Sequence, residues 1–450
     1  MRATTLAIAL ATLATTARAE TRAQYGGAVQ AAIASAPTTF DPLRGGPGDA
    51  EVAALVFDTP FVAGADGKPR PSLALALDNA DGATRARLAL RPEVRFSDGT
   101  LLTARDVAAS LSRALRDPAG WMLAPIKSAR AVGEETVELE LWRPAPELAL
   151  LLATPAAAVT PGGAAPGKRP IGSGPFVVDG SDAAGVRLSP NAACFAGRAY
   201  LTSLALRSFA TRSDEAGSYE VGSIQVARHA MAALDATGAR RAAIAVDGPQ
   251  AVTGFVAVGR IADADVVRRV LALAINRDRL RRLTVREPAS VVKAPYDPGR
   301  AKSEVERRWP GTRPKLSLLV DSSRFDDRDV AERILADLAR AGIDVAIDAV
   351  DAAGYQARVE AGRYELLLGS AAPPAPEAAL GTLALVAVVD PAAARAALQR
   401  AATPAVSLED TRVVPLFVRA ARLYVAPELR DLAIDGAGRA DWADAHWLSR

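Results

Sequence analysis

Few side chains in this sequence could carry acid–base, nucleophilic or metal chemistry. The chain has two histidines, His229 and His446, and one cysteine, Cys194. A single thiol cannot form an internal disulfide, and no C-x-x-C or C-x-x-H pair offers a zinc site. We expect Cys194 to be buried and structural, His229 to be solvated, and His446 to pack or fray beside the chain end. The sequence predicts no catalytic residue, no metal site and no cofactor.

The motifs of common enzymes are missing as well. The sequence has no G-x-S-x-G elbow, no P-loop, and no G-x-G-x-x-G between a strand and a helix. These absences favour a protein that binds a ligand and is not an enzyme.

Polar and small residues follow several predicted strands and could bind a ligand. In open α/β sheets, ligands bind outside the carboxyl ends of the strands. The predicted ligand contacts at these strand ends are Thr38, Thr39, Phe40, Ser322, Gly369, Ser370 and Ala371.

A glycine-rich turn, Gly172-Ser173-Gly174-Pro175-Phe176, is a further candidate. Its backbone amides could donate to a ligand carbonyl, and Phe176 could supply an apolar contact. The same composition is equally typical of a structural turn. Both interpretations stay open, with Ser173 and Phe176 as predicted contacts.

The elements that position these residues alternate between strand and helix. In the second half of the chain the pattern predicts three strands separated by two helices: 315–320, 328–341, 343–350, 355–361 and 364–368. Gly342 is placed to end the first of these helices. Such a β-α-β-α-β run predicts parallel strands joined by right-handed crossovers.

Earlier in the chain, the pattern predicts a half-buried strand over 85–91, followed by a turn and a capped helix within 96–113. Ser97-Asp98-Gly99 is a turn cluster, and Thr103 lies three residues before Asp106, the spacing of a capping box.

Length and charge limit the class of protein. At 450 residues the chain can form two lobes or domains, and a net charge of +3 without a basic cluster argues against nucleic acid as a partner. Arg2, an apolar stretch over 4–13 and Ala17-Arg18-Ala19 predict a signal peptide over 1–19, cleaved near Ala19. No later stretch is apolar enough to span a membrane. We expect a secreted protein, periplasmic if the source is Gram-negative.

The residue patterns of several segments resemble those of one protein family. FSDGTLLTARDVAASLSR at 96–113 is similar to "F-S-D-G-x-x-L-T-A-x-D-V-x-x-S-x-x-R" of the extracytoplasmic solute-binding proteins of ABC importers, in their oligopeptide, dipeptide and nickel group (family 5). Further matches, in the same order as in that family, lie at 39–42, 170–176, 188–200, 274–277 and 413–417.

The resemblance implies an α/β fold of two lobes joined by a hinge, the type II periplasmic-binding-protein fold. It implies lobe I over 20–252 with a subdomain at about 43–167, lobe II over 253–407, and a return to lobe I over 408–450. It also implies a monomer that captures a small molecule or short peptide between its lobes and delivers it to ABC permease subunits in the inner membrane.

The chain departs from the family after the last predicted strand of lobe II. There the relatives carry a tryptophan and an aspartate-rich, aromatic stretch, whereas this chain has Gly369 to Pro376 followed by the apolar run 378–389. We therefore expect a pocket less polar than a peptide binder's, or an unusually open cleft, and no clear countercharge for a peptide amino group. Because lobe II is short, a degenerate member acting as a periplasmic sensor or interaction scaffold stays open as an alternative.

Overall fold

The computed structural model describes residues 25–228 except 65 and 81, then 241–284, 289–372, 378–402 and 411–448, together with residues 23, 404 and 406. The predicted signal peptide and His229 lie outside the described residues. Within the described part of the chain, no helix combines the length and apolarity that crossing a membrane requires.

The strands are β1 (Ala28–Ala32), β2 (Phe61–Ala63), β3 (Pro69–Pro71), β4 (Ala74–Asp78), β5 (Arg85–Leu90), β6 (Ile126–Val132), β7 (Thr136–Leu141), β8 (Phe176–Asp182), β9 (Gly185–Pro190), β10 (Ser203–Arg207), β11 (Val226–Ala227), β12 (Ile244–Val258), β13 (Ala289–Val291), β14 (Lys315–Asp321), β15 (Asp344–Val350), β16 (Leu366–Ala371), β17 (Val413–Val425), β18 (Leu429–Arg430), β19 (Ala433–Ile434), β20 (Ala440–Asp441) and β21 (His446–Trp447).

The α-helices are α1 (Pro47–Val56), α2 (Ala104–Arg116), α3 (Leu148–Leu151), α4 (Arg212–Glu220), α5 (Ala264–Ala274), α6 (Arg277–Thr284), α7 (Pro298–Arg308), α8 (Phe325–Ala341), α9 (Ala352–Glu360), α10 (Ala378–Val389) and α11 (Pro391–Arg400). Short 3₁₀ helices cover Pro118–Leu123, Pro155–Ala157 and Pro161–Gly163.

One mixed sheet of 11 strands runs through both lobes, in the order β15-β14-β16-β12-β17-β11-β1-β10-β9-β8, with β13 pairing to β17. In the second lobe β14 is parallel to both β15 and β16, which confirms the predicted parallel run. Gly342 ends α8 at φ 98°, in the left-handed region that favours glycine.

Two long strands form the hinge between the lobes. β12 and β17 are antiparallel to each other, with irregular register around Asp247, Gln250 and Val252. At one end β17 pairs with β11 of the first lobe, and at the other end β12 pairs with β16 of the second. Any change in the angle between the lobes must therefore bend these two strands.

The second-lobe sheet has a different layer on each face. Helices α5, α7 and α8 cover one face around a core that includes Val270, Ile334 and Leu338. On the other face Phe255, Leu319 and Leu367 are buried among side chains of α9 and α10. This second face is the one that borders the first lobe.

The subdomain is a four-stranded antiparallel sheet, β4-β5-β7-β6, packed against α2. Burial alternates strictly along β5, as its polar and apolar residues predict. The capping box is also confirmed, since the Thr103 amide donates to Asp106 Oδ2 over 2.9 Å.

Helices α10 and α11 join the second lobe to the subdomain. Leu383 and Leu398 are fully buried in the subdomain core, whereas Leu385 is buried against the second-lobe sheet. Arg143 of the subdomain donates to the Leu398 carbonyl over 2.8 Å. The lobe boundaries given above remain a prediction. The helix pair α10–α11 lies within the range predicted for lobe II, 253–407, yet it also packs into the core of the subdomain predicted at 43–167.

Candidate functional site

A cavity of about 1040 Å³ lies between the two lobes. Its walls come from the loop after β1, the subdomain around Trp121, the hinge strands, and the second-lobe face that carries Phe255 and Tyr355. A volume of this order suits a small molecule or a short peptide.

The first-lobe wall is a loop held by the carboxylate of Asp49. This buried side chain accepts hydrogen bonds from the amides of Thr38 (2.6 Å), Thr39 (2.6 Å) and Gly46 (2.7 Å). The carboxylate is positioned at the start of α1, where the helix dipole favours negative charge. Asp49 therefore fixes the shape of this wall.

Deeper in the first lobe, the charged groups are engaged with one another. Arg228 forms an ion pair with the buried carboxylate of Glu51, and its amide donates to Glu215 Oε1 over 2.5 Å. At the subdomain edge Arg44 and Asp117 pair at 2.6 Å. These pairs stabilise the wall.

The second-lobe wall near the hinge is built around Arg324. Its Nη2 donates to Ser370 Oγ over 2.9 Å, and its Nη1 lies 3.2 Å from Asp327 Oδ2. Burial raises the pKa of Asp327 to about 6, while Arg324 opposes that rise. Asp321 accepts from the hydroxyl of Ser323 over 2.7 Å, which orders the loop after β14.

One carboxylate connects the lobes at this point. Asp326, in the first turn of α8, accepts from Nε of Arg212 in the first lobe over 2.7 Å. Arg419 on hinge strand β17 lies 3.7 Å from the same carboxylate.

The floor of the cavity in the second lobe is apolar and aromatic. Phe255, Tyr355, Val359 and Val388 line it, and the Tyr355 hydroxyl donates to the Leu368 carbonyl over 2.8 Å. Burial raises the pKa of Tyr355, so this hydroxyl stays protonated at neutral pH. Trp121 lies on the opposite, subdomain side.

Among the described lining residues, arginines and carboxylates occur in equal number: Arg44, Arg228, Arg260, Arg324, Arg412, Arg419, Arg422 and Arg439, against Asp49, Glu51, Asp117, Glu215, Asp321, Asp326, Asp327 and Glu360. The lining is thus rich in charge, and four ion pairs join half of these charges to each other: Arg44–Asp117, Arg228–Glu51, Arg324–Asp327 and Arg419–Asp326.

Of the predicted contacts, Thr38 and Ser370 line the cavity. Thr39 lies in the same loop with its amide bound to Asp49, and Phe40 packs against the first-lobe core. Ser322 is exposed beside the lining residues, with its amide bound to the Val350 carbonyl.

Gly369 and Ala371 lie on β16 close to the cavity without lining it. A Cβ on Gly369 would come within 2.8 Å of the Phe255 ring, so this glycine lets the aromatic floor approach the strand. Ala371 is paired with Thr253 of β12. Residues 373–377, within the segment that departs from the family wording, lie outside the described residues.

The glycine-rich turn lies behind the first-lobe wall, away from the cavity lining. A Cβ on Gly172 would lie 1.9 Å from the Val56 carbonyl oxygen. Ser173 donates to Asp58 over 2.8 Å, and Phe176 is buried in the first-lobe core. This geometry matches the structural interpretation of the turn.

Cys194 is half-buried and His446 is buried. Burial raises the pKa of the Cys194 thiol, and His446 packs beside Tyr200 with 5.6 Å between the ring centroids. In the part of the chain that the structure describes, no group of three His, Cys, Asp or Glu side chains could hold a metal ion.

Sequence reasoning missed several residues that line the cavity, among them Arg324, Trp121 and Arg419. Arg324 comes from a loop, and Trp121 comes from a 3₁₀ helix in the subdomain. Arg419 had one usable signal, since it interrupts the apolar run of strand β17. A charge within a strand that is otherwise buried points to a cavity or a partner.

The model of the bacterial extracellular solute-binding proteins, family 5 Middle, matches residues 68–387. A curated relative, the uncharacterized protein YhjP of Bacillus subtilis (strain 168), is 33% identical over 150 residues, 32% of this chain and 26% of the relative. The chain thus spans about a quarter of the length of that relative.

Solved structures with a TM-score of 0.79 include three binding proteins. AgaA from A. tumefaciens R10, in complex with agropinic acid, is 19% identical, and the match covers 94% of this chain and 99% of the AgaA chain. The oligopeptide-binding protein AppA of Bacillus subtilis, in complex with a nonapeptide, is 16% identical (95% and 100%). The murein tripeptide binding protein MppA of Escherichia coli is 17% identical (95% and 99%). At these identities the likeness shows a shared fold.

Proposed function

The chain belongs to the bacterial extracellular solute-binding proteins of family 5, and on that premise we propose that it captures a small solute between its lobes as the solute-binding component of an ABC importer. The predicted two-lobe α/β fold is confirmed by the structures that share it. The proposal includes that the protein is secreted to the periplasm and delivers its solute to permease subunits.

The single observation that carries the proposal is the cavity between the lobes. It is lined by both lobes and by the hinge strands, so bending of the hinge would change its shape around a solute. Its aromatic floor and its row of arginines and carboxylates could hold a molecule with both apolar and charged parts.

The relatives do not fix which solute is bound. One structure of the same fold holds a nonapeptide and another holds agropinic acid, so the fold accepts chemically different molecules. In this chain several cavity carboxylates are already bonded within the wall, which leaves few countercharges for a peptide amino group: Asp49, Glu51, Asp117, Asp326 and Asp327. We propose a peptide-like or more apolar solute.

Native mass spectrometry of protein purified from its own host is the direct test. We expect a co-purified small molecule, and a matching compound from a panel of peptides, sugars and lipids should raise the melting temperature of the emptied protein. Gln356→Trp would place a large ring in the cavity from α9, and this variant should lose the solute.

Ala357→Trp is the matched control, because Ala357 is an exposed neighbour on the same helix and does not line the cavity. This variant should retain the solute. If no solute is found by either method, the capture proposal is wrong and the alternative of a sensor or scaffold without transport becomes the better one.

A further inference from the structure

Three residues meet where neighbouring strands of the second-lobe sheet end. Arg260 follows β12, Arg412 precedes β17, and Tyr364 precedes β16. The strand ends are held together because the Val258 amide donates to the Arg412 carbonyl over 2.8 Å and the Gly259 amide donates to the Glu365 carbonyl over 2.7 Å. These residues lie at the start of β16, whereas Ser370 lies near the other end of the same strand.

All three residues line the interlobe cavity. Arg260 is exposed, whereas Arg412 and Tyr364 are half-buried. Burial raises the pKa of the Tyr364 phenol, and the charges of Arg412 and Arg260 oppose that rise. The three side chains thus line one end of the same cavity, where the charge of each guanidinium favours the ionised phenol.

The two arginines differ from the other cations of the cavity. Arg44, Arg228, Arg324, Arg419, Arg422 and Arg439 each lie within 4 Å of a carboxylate. For Arg260 and Arg412, no carboxylate among the described residues lies within that distance. Both side chains thus carry hydrogen-bond donors that the described protein groups leave available.

An apolar path separates this end of the cavity from the hinge end. From Tyr364 to Ser370 the chain advances six residues in extended conformation, which spans roughly 20 Å. The floor between them includes Phe255, Val359 and Val388. A solute that reaches both ends must be elongated and largely apolar in its middle.

We propose that Arg260, Arg412 and Tyr364 form a subsite for the carboxylate of an elongated, largely apolar solute. The inference rests on the proposed function, since it assigns chemistry to one end of the same cavity. Guanidinium groups bind carboxylates through paired, charge-assisted hydrogen bonds, and the phenol hydroxyl adds a third donor. The departure of the second lobe from the family wording is consistent with a ligand of its own class.

Matched probes test the subsite by calorimetry. N-acetyl-Leu-Leu-Leu and decanoate each carry one carboxylate, and their amides have nearly the same shape without the charge. We expect each acid to bind at least about tenfold more tightly than its amide, which is the size of effect that one charge-assisted pair can supply.

Arg260→Gln and Arg412→Gln should each weaken binding of the acid by about tenfold and leave binding of the amide unchanged. Because neither guanidinium has an ion-pair partner among the described residues, both variants should melt within about 1 °C of the parent. Arg300→Gln, an exposed change on α7 outside the cavity lining, is the matched control.

Equal binding of acid and amide, or acid binding that both variants retain, overturns the subsite and leaves the proposed function standing. Failure of both acids to bind, in a protein that carries another solute from its host, also overturns the subsite alone. If native mass spectrometry and the melting-temperature panel find no solute, and no probe binds in calorimetry, the proposed function and the subsite are both wrong.

Discussion

The two walls of the cavity differ in what their polar groups are doing. On the first-lobe wall Asp49 is fully engaged by the amides that shape its loop, and Arg228 is paired with Glu51. On the second-lobe wall Arg260 and Arg412 have no carboxylate partner within the described part of the chain. The first wall is a preformed frame, and the second offers the chemistry that a solute can use.

Three of the family-like segments, 96–113, 170–176 and 188–200, help to assemble the first lobe. The Ser97 amide donates to the Gly172 carbonyl over 2.8 Å, the Gly174 amide to Val56 over 2.9 Å, and the Asn191 amide to Pro175 over 2.8 Å. Three separate family-like segments thus hold one another through their backbones. Their wording reports how the first lobe is assembled and says little about the solute.

The largest expected effect is at Gly172. Because a Cβ there would lie 1.9 Å from the Val56 carbonyl oxygen, Gly172→Ala must displace backbone. We expect a loss of at least about 3 kcal/mol in the free energy of unfolding, or no folded protein. Gly167→Ala is the control, since nothing lies within 4 Å of a Cβ at that position. Urea unfolding of both variants checks this, and a mild Gly172→Ala would show that the turn yields more easily than a rigid frame should.

A second test removes the carboxylate that shapes the first-lobe wall. Asp49→Ala leaves the amides of Thr38, Thr39 and Gly46 without their acceptor, and we expect the free energy of unfolding to fall by about 3 kcal/mol. Asp329→Ala, exposed on α8, should stay within about 0.5 kcal/mol of the parent. Similar denaturation midpoints for the two variants would mean that Asp49 is not needed to hold the wall.

The smallest expected effect has the opposite sign and depends on pH. Burial raises the pKa of Asp58 from 3.8 to about 6 in the folded protein. Between about pH 4 and pH 6 the folded state then binds a proton that the unfolded state lacks, so stability falls as pH rises through this window. Asp58→Asn can still accept from Ser173, and it should be more stable than the parent by about 1–2 kcal/mol at pH 7 and by little at pH 4.

Chemical unfolding of Asp58→Asn at both pH values measures this difference. Asp98→Asn is a useful contrast, because hydrogen bonds from Thr100 lower the pKa of that exposed carboxyl. The Asp98→Asn substitution should lower the free energy of unfolding at pH 7. A pH-independent gain for Asp58→Asn would show that the Asp58 carboxyl is not the titrating group.

The local elements of the fold were largely predictable, because their causes are local. The alternation along β5, the capping box at Thr103 and the left-handed Gly342 each depend on residues within one turn or strand. By contrast, β17 runs without a break for 13 residues, because its partner β12 extends through both lobes. That length is set by a partner far away in the sequence.

The cavity was less predictable than the fold. The rule of strand carboxyl ends led to Ser370, which does line the cavity, and also to Gly369 and Ala371, which lie beside it. We did not apply it to Arg260, although Arg260 follows the carboxyl end of β12, and it does not cover Arg412, which precedes β17. Both arginines line the cavity because it reaches this end of the sheet as well as the end at Ser370.

The sequence by itself determined the family, the order of strands and helices, and the caps and turns that build the first lobe. These features depend on residue types at short spacings, which one chain displays directly. Only the tertiary structure decided that α10 and α11 share a core with the subdomain, that Asp326 connects the lobes, and that Arg260, Arg412 and Tyr364 lie at one end of the cavity. Each of these contacts joins segments many residues apart, and no local pattern of side chains specifies which distant segment will lie alongside.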